Sequence, residues 1–262
     1  MPKYFDIHSH LNSSAYQKDF DEVIKRLKET ETHTMVVGTD FESSKKAVDL
    51  ADKYEEIYAC IGIHPVDNPS RSFEREKFEK LVKHPKTVAI GECGMDFFHA
   101  DKNIDYDRQK KLFLDQVKFA LVHNKPIMIH ARNAYEELLE ILEPLKEIKL
   151  PLGSLASKLR GNVHFFAGNV EVAKRFFEIG FTVSFTGVIT FVRDYDEVIK
   201  SAPLNMIMSE TDSPYVTPTP YRGKRNEPSY VSEVVKKIAE IREENDKIVG
   251  DTLVSNALSM IG

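Results

Sequence analysis

Short apolar runs alternate along this chain with longer segments in which apolar residues recur at helical spacing, and the alternation persists over nearly the whole length. β-Branched and aromatic residues predict strands at Tyr4–Ile7, Thr34–Val37, Ile57–Ile61, Thr87–Ile90, Pro126–Ile129, Asn162–Phe166, Phe181–Phe185 and Asn205–Met208. Their starts lie about 29 residues apart on average, the length of a strand and its crossover helix. Three intervening stripes have the i, i+3, i+4, i+7 type of spacing: Phe20, Val23, Ile24 and Leu27; Phe113, Val117, Ala120 and Leu121; and Val231, Val234, Val235 and Ile238. Such faces need a sheet to cover. Pro228 suits the first turn of the last long helix, where its missing N–H costs nothing.

Strands alternating with helices predict an α/β protein, a single-domain (β/α)8 TIM barrel over residues 1–262. A doubly wound open sheet would carry a Gly-rich first turn, and none follows Ile7. The architectural alternative is a five-strand open sheet with added hairpins. Pro144–Arg160 reads as a surface excursion between the fifth helix and the sixth strand, and no interdomain linker interrupts the pattern.

Composition narrows the class without changing the fold. Of 262 residues, 42% are hydrophobic and 29% charged, which excludes a wholly disordered or fibrous chain. Cys60 and Cys93 are the only cysteines and both sit in apolar runs, so a disulfide-stapled secreted module is not expected. There is neither a signal-like apolar start nor a long uncharged apolar stretch, and the expectation is a soluble, cytoplasmic protein with no membrane association. A net charge of −5 argues against a broad cationic face for duplex nucleic acid, while leaving room for a small phosphate pocket.

The chemistry is concentrated at strand ends. Alternation in Phe5-Asp6-Ile7-His8-Ser9-His10 points Asp6, His8 and His10 to one side. Taken alone, a His-x-His pair fits a hydrogen-bonded structural role as well as a metal site. Other strands end in His64, in Glu92 within Gly91-Glu92-Cys93-Gly94-Met95-Asp96, in His130, in His164 and in Asp212 within Ser209-Glu210-Thr211-Asp212. A barrel gathers all these ends around one mouth. His8, His10, Glu92, His130, His164 and Asp212 supply four imidazoles and two carboxylates, a set suited to two divalent ions sharing a carboxylate and acting on a phosphoryl group. The nitrogen-rich set favours Zn, Mn, Fe or Ni over an all-oxygen Mg site, although availability can override affinity, and Zn, Mg and Mn all stay open. His33, His84, His99 and His123 read as surface or capping residues, and His64 fits a substrate, a supporting or a structural role.

The ordered set of motifs resembles the TatD family of metal-dependent deoxyribonucleases, within the amidohydrolase-like barrel group. The matching stretches run from Phe-Asp-Ile-His-Ser-His through Ile61-Gly62-Ile63-His64-Pro65, Gly91–Asp96, Lys125–Arg132, Val163–Gly168 and Ser209–Tyr215 to Arg222–Pro228. The resemblance covers residues 3–262. It implies that His8, His10, Glu92 and Asp212 hold one ion and Glu92, His130 and His164 the other, with Glu92 bridging. It further implies Asp212 as the base orienting a metal-activated water, and Arg132 and Arg222 as phosphate contacts beside a substrate-binding His64. The implied activity is hydrolysis of DNA phosphodiesters, commonly from the 3′ end, on DNA ends or short single strands and without an obligate protein partner. The alternatives are a metal-dependent hydrolase of a small phosphoester, nucleotide or amide, and a non-catalytic binding protein. Two departures stand out: Phe165-Phe166-Ala167 replaces the usual Cys-Phe-Ser, and Ala131 and Asn133 flank Arg132 where Ser and Asp are common. Phe97, Phe98, Phe166, Tyr215 and Tyr221 are candidate stacking residues, of which most would belong to the core.

Overall fold

In the computed structural model, residues 1–67, 70, 72–147 and 158–262 are described. Eight strands form one parallel sheet in sequence order: β1 (Tyr4–Ser9), β2 (Thr32–Val37), β3 (Ile57–Ile61), β4 (Thr87–Asp96), β5 (Ile127–Arg132), β6 (Gly161–Val163), β7 (Phe181–Phe185) and β8 (Ile207–Ser209). The sheet curls until β8 meets β1, where Ser9 bridges Ser213 and the His10 N–H donates to the Ser213 carbonyl at 2.7 Å. This is the TIM-barrel topology expected of the sequence. The helices are α1 (Phe20–Glu29), α2 (Phe41–Lys53), α3 (Arg75–Val82), α4 (Lys102–Val122), α5 (Tyr135–Glu147), α6 (Val170–Glu178), α7 (Asp196–Ser201), α8 (Val231–Arg242) and α9 (Asp246–Ile261).

Strand alternation sorts the apolar residues into two layers. Val36, Ile61, Ile90, Ile129 and Val183 pack outward with helix residues such as Leu27, Ala47, Val117 and Leu138. Phe5, Ile7, Met35, Val37, Cys60, Met128 and Met208 fill the lumen together with Val254, Ala257 and Met260 of α9. That helix closes the end where the strands begin, and the Asn256 amide fastens it by donating to the carbonyls of Leu204 and Ile207, both at 2.8 Å. The opposite mouth is left for chemistry. Both cysteines are free and buried. No helix among the described residues is long and apolar enough to cross a membrane.

Several boundaries differ from the sequence reading, each for a local reason. β4 continues to Asp96 because backbone pairing with β5 does not require apolar side chains, whereas β6 stops at Val163 and releases His164–Phe166 into a turn. Pro228 opens a short 3-10 turn, Pro228–Tyr230, that feeds α8, and α8 is followed by α9 as the last helix. The start of the Pro144–Arg160 excursion is the end of α5, and residues 148–157 lie outside the described residues.

Two bulges decide which side chains reach the mouth. Between Asp6 and Ser9, β1 uses one residue more than β2, so simple alternation fails there. Ile7 joins the lumen, His8 faces the mouth, and Asp6 turns away from the histidines to Thr34 and Thr211. Between Ile90 and Cys93, β4 uses one residue more than β5, and this irregularity contains Glu92. Gly91 and Gly94 flank it at φ of +152° and +150°, a region that L side chains rarely adopt. A Cβ at Gly94 would lie 1.9 Å from the His130 carbonyl oxygen. Only glycine lets β4 approach β5 this closely.

Candidate metal centre

Glu92 occupies the centre of the mouth and divides its two oxygens between two groups of histidines. Its Oε1 lies 2.9 Å from His130 Nδ1, 2.9 Å from His164 Nε2 and 3.5 Å from His64 Nε2. Its Oε2 lies 3.5 Å from His8 Nε2 and 3.8 Å from His10 Nε2. Asp212 Oδ1 completes the second group at 3.5 Å from His10 Nε2 and 3.8 Å from His8 Nε2. His8 also stacks on His164, with ring centroids 3.9 Å apart.

Three overlapping sets therefore offer atoms within 4.8 Å of one another: His8, Glu92 and His164; His8, His10 and Asp212; and His64, Glu92 and His130. The donors are imidazole nitrogens and carboxylate oxygens, with His8 Nε2 and His10 Nε2 aimed at each other across 3.2 Å. Imidazole and carboxylate ligands suit a divalent cation of the Zn or Mn type, so the residues fit a metal.

Electrostatics keep the Glu92 and Asp212 carboxylates ionised. Burial opposes the charge on Glu92, but His164, His64 and His130 outweigh it and hold the carboxyl well below its usual range. The same balance holds Asp212 low, with burial opposed chiefly by His10 and His8. Asp212 sits at φ +53°, a left-handed conformation fixed by its N–H donating to the His8 carbonyl at 2.9 Å. Beside it, the buried Asp6 carboxylate accepts from the Thr211 N–H at 2.8 Å, the Thr211 hydroxyl at 2.6 Å and the His8 N–H at 3.2 Å. Asp6 thus ties the backbone under His8 to the backbone under Asp212.

Two of the histidines, His10 and His130, also find acceptors on their outer edges, whereas the buried Nδ1 atoms of His8 and His164 make no hydrogen bond among the described residues. His10 Nδ1 lies 3.0 Å from the Val37 carbonyl, and His130 Nε2 lies 3.1 Å from Asp96 Oδ2. His164 Nδ1 lies 3.6 Å from Glu210 Oε1. Asp96 is itself held by His99 at 2.8 Å, so His99 belongs to the periphery of the centre as well as to the surface. Asp96 and Glu210 are absent from the site read off the sequence. Their signal was spacing: Glu92 and Asp96, like Glu210 and Asp212, are acidic residues separated by an even number of positions at a strand end.

Above the centre lies a cleft of about 610 Å³, with His10, His64, Glu92, His130, His164 and Asp212 in its lining. Arg132 lines it too and rests on the exposed Phe98 ring, with its guanidinium carbon 4.1 Å from the centroid. Arg222 lies outside that lining, 4.0 Å over the Phe191 ring, and donates to the Thr217 carbonyl at 3.1 Å. Of the candidate stacking residues, Phe166 is buried in the core, half-buried Phe97 packs against the core beside Tyr106, and Tyr221 stacks on Tyr230 at 3.9 Å, which leaves Phe98 and Tyr215 exposed.

A (β/α)8 barrel with an imidazole and carboxylate centre at the C-terminal strand ends defines a metal-dependent hydrolase of the amidohydrolase-like class. The family model described as TatD related DNase matches residues 5–262, and the chain belongs to the TatD family. It is 40% identical over 257 residues to the uncharacterized metal-dependent hydrolase YabD of Bacillus subtilis, covering 97% of this chain and 96% of that one. It is 30% identical to the 3'-5' ssDNA/RNA exonuclease TatD of Escherichia fergusonii, covering 98% of each. The crystal structure of YJJV, a TatD homologue from Escherichia coli K12, superposes with a TM-score of 0.88 at 25% identity, over 99% of this chain and 98% of that one.

Because the apolar layers are continuous without any ion, chelation is expected to leave the far-UV circular dichroism of the protein intact while abolishing turnover. Unfolding on metal removal would make the centre part of the folding core instead.

Proposed function

We propose that this protein is a two-metal deoxyribonuclease that removes nucleotides from the 3′ end of single-stranded DNA. The observation that carries the reading is the division of Glu92, one oxygen toward His130 and His164 and the other toward His8 and His10. A carboxylate placed between two groups of imidazoles would suit two divalent ions that clamp the attacking and leaving oxygens of a phosphoryl group. The similarity to the Escherichia fergusonii exonuclease, named for single-stranded DNA and RNA, supports a nucleic-acid strand as the substrate.

In this reading His8, His10, Glu92 and Asp212 hold one divalent ion, and Glu92, His130 and His164 the other. When bound, the ions supply Lewis acidity and a nucleophilic water near neutral pH. Asp212 lines the cleft with its carboxylate ionised and accepts the proton of the attacking water. His64, held by Asp67 at 2.8 Å, borders the cleft beside Glu92 and contacts substrate. Arg132 and Arg222 have no carboxylate partner among the described residues; Arg132, within the cleft, presents its planar fork to a phosphate, and Arg222, outside the cleft lining and donating to the Thr217 carbonyl, is the weaker second contact.

Two experiments test these assignments. A single metal-loaded preparation is assayed in parallel on single-stranded DNA, blunt duplex DNA, RNA and a small phosphodiester; DNA ends are the expected substrate, and turnover confined to the small ester would favour a phosphoesterase. Arg132→Lys should raise KM for single-stranded DNA by about 10-fold or more, because the charge stays while the bidentate fork is lost. Metal content should not change, and an unaltered saturation curve would return Arg132 to a surface role.

A further inference from the structure

We infer that Phe165, with Tyr195 and Tyr215, forms a stacking wall for an unpaired base beside the metal centre. The inference rests on the reading that the substrate is a nucleotide chain, and it names the part of that chain which this side of the cleft recognises.

The cleft has two unlike sides. Toward β1, β2 and β3 it is lined by Asn12, Ser13, Thr39, Ser43 and Asp67. Those groups are engaged with the protein: the Asn12 amide donates to the carbonyls of Val37 and Ser43, and the Ser43 hydroxyl donates to Asp40. Toward the ends of β6, β7 and β8 the lining is Phe165, Tyr195 and Tyr215, one ring from the loop after each successive strand. Arg132, at the end of β5, stands next in the same row.

Adjacent residues Phe165 and Phe166 show that this wall is not spare core. Phe166 is buried, with Tyr135 and Phe185 rings at 5.2 and 6.5 Å. Phe165 is half-buried and has no ring partner among the described residues. Its backbone lies at φ +45°, uncommon for an aromatic residue, and its N–H donates to Glu210 Oε1 at 2.6 Å. Glu210 is fully buried and accepts from the Ser184 hydroxyl at 2.7 Å, so a fixed carboxylate sets the turn that carries Phe165. Tyr215 is 61% exposed and stands edge-on to the metal-centre residue His10, with ring centroids 6.4 Å apart, so its free face borders the cleft beside the centre.

An unpaired base is the occupant that matches. It offers a flat face to the rings, and its phosphate reaches Arg132 in the same row. Phe165 lines the cleft without being one of the metal-centre residues, which makes it a determinant of substrate preference rather than of the chemistry.

The test measures fluorescence anisotropy of a dye-labelled DNA trinucleotide with cleavage-resistant phosphorothioate linkages, bound to the metal-loaded protein. A matched trinucleotide lacking its 3′-terminal bases is the comparison. Phe165→Ala should weaken binding of the base-bearing ligand by about 5- to 150-fold, the range for loss of one stacked base, and bind the abasic ligand as the unaltered protein does. Phe165→Tyr should restore discrimination. Should Phe165→Ala fail to fold, Tyr215→Ala, altered at an exposed site, should show the same selective loss. Equal binding of both ligands by the unaltered protein, or an equal loss for both in the variants, would overturn the stacking wall. Discrimination without cleavage of ordinary DNA would leave the wall standing and remove the nuclease reading; cleavage without discrimination would do the reverse.

Discussion

Replacing Glu92 by Gln is expected to empty the metal centre and reduce turnover by more than the roughly 10- to 100-fold typical of losing a mere supporting partner. The substitution keeps the shape of the side chain but turns one oxygen into an amide, which cannot serve as an anionic ligand. Because one oxygen faces His130 and His164 and the other faces His8 and His10, both groups lose their shared anion whichever way the amide points. The pocket around Glu92 is built to keep it charged, so the neutral replacement also removes the one anion that His8, His10, His64, His130 and His164 share. Elemental analysis after dialysis, run beside activity on single-stranded DNA, checks this. Two retained ions per chain with unaltered turnover would contradict the bridging role.

Asp212→Asn should fail differently. Its turnover is expected to stay about 100- to 10,000-fold low even when metal and substrate are saturating, because it removes the group that accepts the water's proton. The loss should appear in kcat more than in KM, the pattern of an interaction made in the transition state. The left-handed backbone at Asp212 is fixed by the His8 carbonyl and, through Thr211, by Asp6, and Asn tolerates that conformation, so a folding defect is not expected. Full saturation curves with metal titration separate the cases: recovery to near-normal kcat at high metal would make Asp212 a ligand only.

The barrel is legible in the sequence because each strand is a short apolar run and each amphipathic helix follows at a regular interval. Strand ends in a barrel share one mouth, so six scattered residues could be placed together before any distance was known. What resisted reading was local. Alternation put Asp6 beside His8 and His10, and a bulge of one residue sends it to Thr211 instead. The bulge leaves no mark in residue type. In β4 the mark is present as Gly91 and Gly94, yet the length of the strand is hidden because Glu92 and Asp96 are polar. Asp96 and Glu210 carry only their even spacing from Glu92 and Asp212 as a signal, and the fold shows which histidines they face, His130 and His164. Arg132 and Arg222 look equivalent in the chain; one lines the cleft and the other rests on Phe191 outside that lining. α9 escapes the reading because its apolar residues Val254, Ala257 and Met260 plug a lumen rather than cover a sheet.

The most direct test of the account follows single-stranded DNA labelled at its 5′ end through digestion by the metal-loaded protein, with a chelated sample alongside and the metal content of the same preparation determined. A ladder that shortens stepwise from the 3′ end, stops on chelation and returns when a divalent metal is restored is expected. Intact DNA in the presence of a fully occupied centre would contradict it.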